Sequence, residues 1–383
     1  MRYEKTHPWL TFSLNLTAAP FRLWLLLGEA GSKCEHIAGV PLRPDTADRL
    51  HLVYLAKGAA ATTAIEGNTL TENEVLRHLE GALEVGPSKE YLRQEIDNVV
   101  TACNQVEERI RRGESDLSPQ IIKDYNRLVL EKLTLSPEVV PGQIRSHSVL
   151  VGNVYRGAPE EDCEHLLAQM CDWLNGIALE GVSKTVLGLF KATLAHLYLA
   201  WIHPFGDGNG RTARLVEFQL LLAAGVPTPA AHLLSNHYNQ TRSEYYRQLD
   251  RASKSGGDVL PFLTYAVQGF VDGLKEQIDT IRSQQMDVAW RNYVHEQFHD
   301  KTSQAFQRQK HLVLDLSAHG KPVPAAKIPE LSGRLAHHYH GKTLRTVHRD
   351  LRELEAMNLV AKAPEGYRAC RERILAFLPW RKA

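Results

Sequence analysis

Apolar positions along most of the chain recur at steps of three and four, the spacing that keeps them on one side of a helix. In KEYLRQEIDNVVTACNQVEERIRRG, residues 89–113, Leu92, Ile96, Val99, Cys103, Val106 and Ile110 carry that period with charges between them. A long amphipathic helix is predicted there. The run TADRLHLVYLAKGAAATTAIEGN opens on Asp/Thr capping residues, continues through alanine and stops at Gly67-Asn68, a common helix end. KTVLGLFKATLAHLYLAW repeats the pattern with Val186, Phe190, Leu194, Leu197 and Trp201, and RTARLVEFQLLLAAG predicts a second apolar helix that ends at a glycine. One stretch of the first 300 residues reads as a hairpin. In PGQIRSHSVLVGNVYRGAP, proline and glycine bracket Val149, Leu150, Val151, Val154 and Tyr155, with Gly152-Asn153 as the turn. Residues 276–300 read as a polar connecting helix, and no internal repeat or low-complexity tract is present.

Composition narrows the class. The 383 residues are 43% apolar and 23% charged, which suits two or three globular domains with ordinary cores. Apolar runs such as LWLLL are far shorter than the ~20 residues that span a bilayer, so no membrane partner is expected. Cys34, Cys103, Cys163, Cys171 and Cys370 are scattered without a C-x-x-C, implying neither a disulfide framework nor a zinc site. A cytoplasmic location fits best. The net charge of +1 conceals an asymmetry: residues 301–383 hold 16 Lys+Arg against 7 Asp+Glu, and residues 1–300 hold 29 against 37. A basic module on an acidic body points either to nucleic acid or to a solvated protein-docking surface.

The densest chemistry lies in HPFGDGNGRTAR, residues 203–214, a loop between two predicted helices. A helix N-terminus presents unpaired N–H groups, and glycine lets an anion approach that backbone. Gly208, Asn209 and Gly210 supply such a cradle, while Arg211 and Arg214 add guanidinium charge beside it. Asp207 is an oxygen ligand suited to Mg²⁺ together with substrate phosphates, and His203 can take a proton near neutral pH. A base, a metal ligand and an anion cradle on one loop suggest attack of a hydroxyl on a nucleotide phosphate. The absence of G-K-[ST] excludes a P-loop, and a loop that follows a helix argues against a dinucleotide fingerprint.

HPFGDGNGRTAR matches every fixed position of the Fic motif, HPFx[D/E]GNGRxxR, and the chain is identified on it as resembling Fic proteins. That resemblance implies transfer of AMP from ATP to a Ser, Thr or Tyr hydroxyl of a protein, with the chain itself among its targets. It implies His203 as general base, Asp207 as the magnesium ligand, Gly208, Asn209 and Gly210 as the anion hole, and Arg211 and Arg214 as holders of the β and γ phosphates. PGQIRSHSVLVG resembles the family's flap, with Val151, Gly152 and Asn153 beside the substrate, and it would lay a target strand against the site by strand addition. RSEYYRQL, residues 242–249, resembles the segment whose tyrosines line the nucleoside pocket, here Tyr245 and Tyr246. The position of an asparagine that touches the base in some relatives falls near Ser253. TTAIEG, residues 62–67, resembles the (S/T)xxxE(G/N) inhibitory motif, which implies that Glu66 pairs with Arg214 and excludes productive ATP.

The basic tail holds TLRTVHRDLRELEAMNLVAKAPEGYRA. Leu344, Val347, Leu351 and Leu354 form an apolar stripe, and Arg345, Arg349 and Arg352 fall on an exposed face. With the Pro364-Glu-Gly366 turn this resembles a winged helix-turn-helix, either set on a DNA backbone or used for protein docking or dimerisation. His337, His338 and His340 lack partners at metal-ligand spacing.

The expectation is an all-α fold: a Fic-type helical core with a small β-hairpin flap, plus a C-terminal winged helix-turn-helix. It divides into an N-terminal helical region, 1–110, with an inhibitory helix over about 46–67; a catalytic core, 111–275; a connecting helix, 276–300; and the winged helix, 301–383. The expected function is an autoinhibited protein adenylyltransferase using ATP and Mg²⁺. The alternatives are a DNA-binding regulator whose core senses nucleotide, and transfer of another phosphate-containing group. A homodimer is left open.

Overall fold

Short polar residues and prolines mark where helices begin. A computed structural model describes residues 1–83, 86–151 and 155–375. A four-residue helix α1 (Tyr3–Thr6) is followed by α2 (Phe21–Gly39) and α3 (Pro44–Ile65). α3 starts two residues before the run that opens on Thr46: Pro44 occupies its first turn and no side chain caps it, because the preset φ of proline suits the first helical position. Thr71 and Glu74 form a reciprocal capping box at α4 (Glu72–Leu79). The amphipathic α5 (Glu90–Arg111) buries Leu92, Ile96, Val99, Cys103 and Val106. Ser118, ahead of Pro119, caps α6 (Pro119–Val129). Next comes the hairpin of β1 (Leu150–Val151) and β2 (Tyr155–Arg156), antiparallel with Val151 opposite Tyr155. The expected turn, Gly152-Asn153, lies outside the described residues.

After α7 (Cys163–Gly176), Ser183 caps α8 (Lys184–Ile202), which leads to α9 (Asn209–Ala223). The single apolar stripe expected on α8 needs correction. Gly188 through Ala195, apart from Lys191, and His196 through Leu199 are all buried, so the helix is covered on every side and serves as the central post of the core. By length and composition it is also apolar enough to cross a membrane, unlike the short runs noted in the sequence, but most of it packs inside the bundle. The short α10 (Thr228–Ala231), α11 (Leu233–Gln240) and α12 (Arg242–Lys254) close the region, and α13 (Leu260–Gln297) is a single 38-residue helix.

The chain divides into two compact units, 1–278 and 279–383. In the second, Trp290 and Val294 of α13 and Phe298 just beyond it share a core with α14 (Gln304–His319), α15 (Gly333–Tyr339) and α16 (Leu344–Ala356). There β3 (Val360–Ala363) pairs antiparallel with β4 (Gly366–Ala369), and Val323 bridges to Tyr367. Val347, Leu351 and Leu354 of α16 are buried, and Arg345, Arg349 and Arg352 are exposed. Leu344 is exposed, against the expected stripe, because it opens the helix, one turn ahead of the buried positions. The five cysteines are free and buried.

Candidate active site

α8 ends where its direction must change. His203 adopts φ 49° and ψ 58°, the left-handed region uncommon for a residue with a side chain, and Pro204 prevents the helix from continuing. The turn swings the imidazole toward the start of α9, whose cap, Gly208, has φ 75°. A β-carbon at Gly208 would come within 3.0 Å of the Asn126 amide, so both backbone conformation and close approach require glycine. The Asn209 side chain closes a ring on the loop: its Nδ2 donates to Phe205 O at 2.8 Å and its Oδ1 accepts from Phe205 N at 2.9 Å. Its contribution to an anion cradle is therefore the backbone N–H, while the side-chain amide braces the loop. The first-turn N–H groups of Asn209, Gly210 and Arg211 have no intrahelical acceptor.

Both motif arginines are engaged by carboxylates. Arg214 Nη2 donates to Glu66 Oε1 at 2.5 Å and to Thr62 O at 3.0 Å, and its Nε donates to Thr62 Oγ1 at 2.6 Å. Its Nη1 is buried without a hydrogen-bond partner. Arg211 donates to Glu95 at 3.0 Å and to Asp207 Oδ1 at 3.2 Å. Glu66 is the C-cap of α3, and it reaches so far into the mouth of α9 that a β-carbon on Gly210 would lie 2.2 Å from its Oε1. Burial raises the Glu66 pKa, but Arg214, then Arg211 and His203, outweigh it and hold the carboxyl below its usual range. Burial pushes His203 down to about 4, with Arg145 adding to the shift, while a hydrogen bond to Ala200 O and the charges of Glu66 and Asp207 oppose it.

These groups face one cavity of about 550 Å³, lined by Glu66, Val151, His203, Asn209, Gly210, Arg214, Tyr245 and Tyr246 together with apolar side chains. Tyr245 is buried and Tyr246 is exposed, so the pair is split between core and cavity wall. Ser253 is buried against Asp250 O, and Asp250 lines the cavity in its neighbourhood. Asp207 projects with about half its side chain exposed, and the described residues contain no cluster of three or more His, Cys, Asp or Glu that could hold a metal alone. The donor set suits a cation that takes its other ligands from substrate phosphates.

Residues 116–221 match the Fic/DOC family. They form a Fic domain. The chain is 29% identical over 228 residues to protein adenylyltransferase fic-1 of Caenorhabditis briggsae, covering 59% of this chain and 42% of that protein. It is 32% identical over 211 residues to protein adenylyltransferase Fic of Nematostella vectensis, covering 54% and 45%. The chain thus spans less than half the length of these curated relatives. Among solved structures, a Fic family protein from Desulfovibrio desulfuricans has the same fold with a TM-score of 0.58 at 20% identity, over 93% of this chain and 98% of that one. Fic-1 of Caenorhabditis elegans gives 0.55 at 24% identity, over 68% and 73%.

Sequence reasoning missed the residues that hold the Fic loop in place. Arg145, fully buried, donates from Nε to His203 O at 2.8 Å, from Nη1 to His147 O at 2.7 Å and from Nη2 to Ala158 O, tying the loop to the hairpin. Asn126 donates to Asp207 O at 2.9 Å and accepts from Gly142 N at 2.9 Å. Behind Tyr245, His196 lies 2.8 Å from the Tyr245 hydroxyl and 3.0 Å from Glu217, which also accepts from Tyr238 at 2.8 Å. Glu95 holds Arg211 and accepts from Asn68 at 2.9 Å. His196 and Glu217 are polar residues in apolar stretches, a pattern that marks burial with a partner without saying which partner, whereas Arg145, Asn126 and Glu95 stand among other polar residues and carry no such signal.

Proposed function

We propose that this protein is a protein adenylyltransferase whose site is held shut by Glu66. The observation that carries this reading is the pairing of His203 with the α9 N-terminus and Arg214 around one cavity, with Glu66 seated on the same arginine. A nucleotide's terminal phosphate would replace the Glu66 carboxylate on Arg214, and the unpartnered Nη1 would gain an acceptor. The N–H groups of the first turn would take the inner phosphates, and Tyr245 and Tyr246 the nucleoside. With its pKa near 4, His203 is neutral at pH 7 and has a lone pair to accept the proton of a Ser, Thr or Tyr hydroxyl. That hydroxyl oxygen bonds to the α-phosphorus, the bond from the α-phosphorus to the bridging oxygen breaks, and pyrophosphate leaves. Asp207 would hold Mg²⁺, which supplies charge neutralisation on the phosphates. The target backbone would align on the β1 edge, where Leu150 is exposed.

Incubating the full chain with α-labelled ATP and Mg²⁺ tests the reading. Glu66→Gly should label itself or an added protein well above wild type, with a mass increase of one AMP. A folded Glu66→Gly protein that transfers no AMP would end the proposal.

For the second unit we propose a winged helix that contacts a DNA backbone. The observation in its favour is the exposure of Arg345, Arg349 and Arg352 along α16, with the β3–β4 hairpin following it. The test is duplex DNA binding at low salt.

A further inference from the structure

The end of α3 that delivers Glu66 is electrostatically awkward. A helix C-terminus carries a partial negative charge and several carbonyls without intrahelical donors, and a carboxylate placed there is disfavoured. Glu66 is the C-cap residue, with φ −90° and ψ 1°. Arg214 answers its side chain. Two of the last carbonyls also take a donor from a different residue: Arg242, the first of α12, donates from Nη1 to Ala64 O at 3.2 Å and from Nη2 to Ile65 O. The same guanidinium lies 5.9 Å from the ring centroid of Tyr246, on the cavity wall.

We propose that Arg242 is the latch that holds the Glu66 end of α3 in the active site. This rests on the reading of Glu66 as the brake. Two cations sustain the arrangement, and they differ in what happens when a nucleotide enters. Arg214 changes partner, from Glu66 to phosphate, so it favours neither state strongly. Both hydrogen bonds of Arg242 go to the helix end, so they count for the shut state alone and set how rarely Glu66 withdraws, while its place over the Tyr246 ring does not depend on that end. On the far side, Asn68 is buried, donates to Leu92 O and Glu95 at 2.9 Å each, and fixes the chain beyond the end as a pivot. Arg242 is exposed, so its removal opens no cavity in the core.

The experiment compares wild type, Arg242→Ala, Glu66→Gly and the double variant as full chains, by AMP labelling and by hydrogen exchange. Arg242→Ala should raise labelling about three- to thirtyfold, the range expected when charge-assisted bonds at a helix end are removed. Glu66→Gly sets the ceiling, and the double variant should not exceed it. The amides of Glu66 and Gly67, which donate to Thr63 O and Ala64 O at 3.0 Å each, should exchange faster in Arg242→Ala. A gain for Glu66→Gly with none for Arg242→Ala overturns the latch and leaves the transferase reading standing. If no variant transfers AMP, that reading fails and exchange alone decides: faster exchange in Arg242→Ala sustains the hold on the helix end, and unchanged exchange overturns it.

Discussion

Each compact unit contains a buried arginine that meets a carboxylate, and the two pairs are built differently. In the second unit, Arg308 grips Asp350 with two bonds, Nε to Oδ2 at 2.6 Å and Nη2 to Oδ1 at 3.0 Å, and Asp350 also accepts from Tyr339 at 3.0 Å and Gln309 at 3.3 Å. Asp350 is wholly buried. In the Fic unit, Glu66 touches Arg214 through one oxygen, keeps a third of its side chain exposed, and leaves Nη1 of Arg214 without a partner. The first pair has no room for exchange. The second presents a cation already desolvated and aimed at a cavity, with a carboxylate that can leave into water. A bidentate, sealed pair suits a core; a one-armed pair at a cavity mouth suits a site that must change partners.

The difference between the pairs predicts where damage falls. The largest effect should come from the base that the open pair guards: on the Glu66→Gly background, His203→Ala should lower AMP transfer by about 10²–10⁴-fold, measured as initial labelling rate. Its circular dichroism should be unchanged. Next, Asp350→Ala should destabilise the second unit by about 3–5 kcal/mol, because Arg308 is left charged and buried; denaturant titration of the full chain reads this as an early transition. The sharper half of the contrast is that Glu66→Gly should cost less than Asp350→Ala, since Glu66 is partly solvated, Arg214 keeps both Thr62 bonds, and the space Glu66 leaves lies on the cavity, where water can reach the guanidinium. Equal losses would erase the distinction between the two pairs.

A pH profile gives a smaller and more selective reading. The Glu66 carboxyl is depressed in the folded chain, so its pairing with Arg214 is complete above the ordinary carboxylate range and gives way only as pH falls through the lowered value. His203, at about 4, takes up its proton in the same acid region. Acid therefore releases the brake only where the base is disabled, and wild-type labelling should not rise between pH 7 and pH 5. For Glu66→Gly, kcat/KM should stay flat from pH 8 to about 5, since removing Glu66 removes a charge that raised the His203 pKa. An acid limb near 6.5 would show that burial does not govern His203. The smallest effect concerns the exposed arginines of α16. Reversing Arg345, Arg349 and Arg352 should reduce DNA affinity and lower its salt slope by about 0.9 for each phosphate that is no longer neutralised, leaving stability unchanged.

Much of this was legible along the chain because it depends on local spacing. The amphipathic period of α5, the glycines that let α9 begin at a sharp turn, and the hairpin of Val151 opposite Tyr155 follow from residues close in sequence, where periodicity and turn chemistry operate. The candidate His203, Asp207 and Arg214 share twelve residues, and a short loop running into the first two turns of α9 keeps them close whatever surrounds it. Less visible was that α8 is covered on all sides, since its stripe of Val186, Phe190 and Leu194 is equally consistent with a surface helix.

What the sequence determined by itself, then, is the local geometry of the loop, its elements and the chemical types in it; the pairing of Glu66 with Arg214 was suggested by motif resemblance alone. Only the tertiary structure decided the partners. It set Glu66 on Arg214 across 148 positions of sequence, gave Arg145 to the His203 carbonyl, committed the Asn209 side chain to Phe205, and brought Arg242 to the end of α3. A buried or helix-end polar group must find a donor or acceptor, and composition announces that need. Which group meets it depends on where packed helices bring distant residues together, and that is a property of the assembled core.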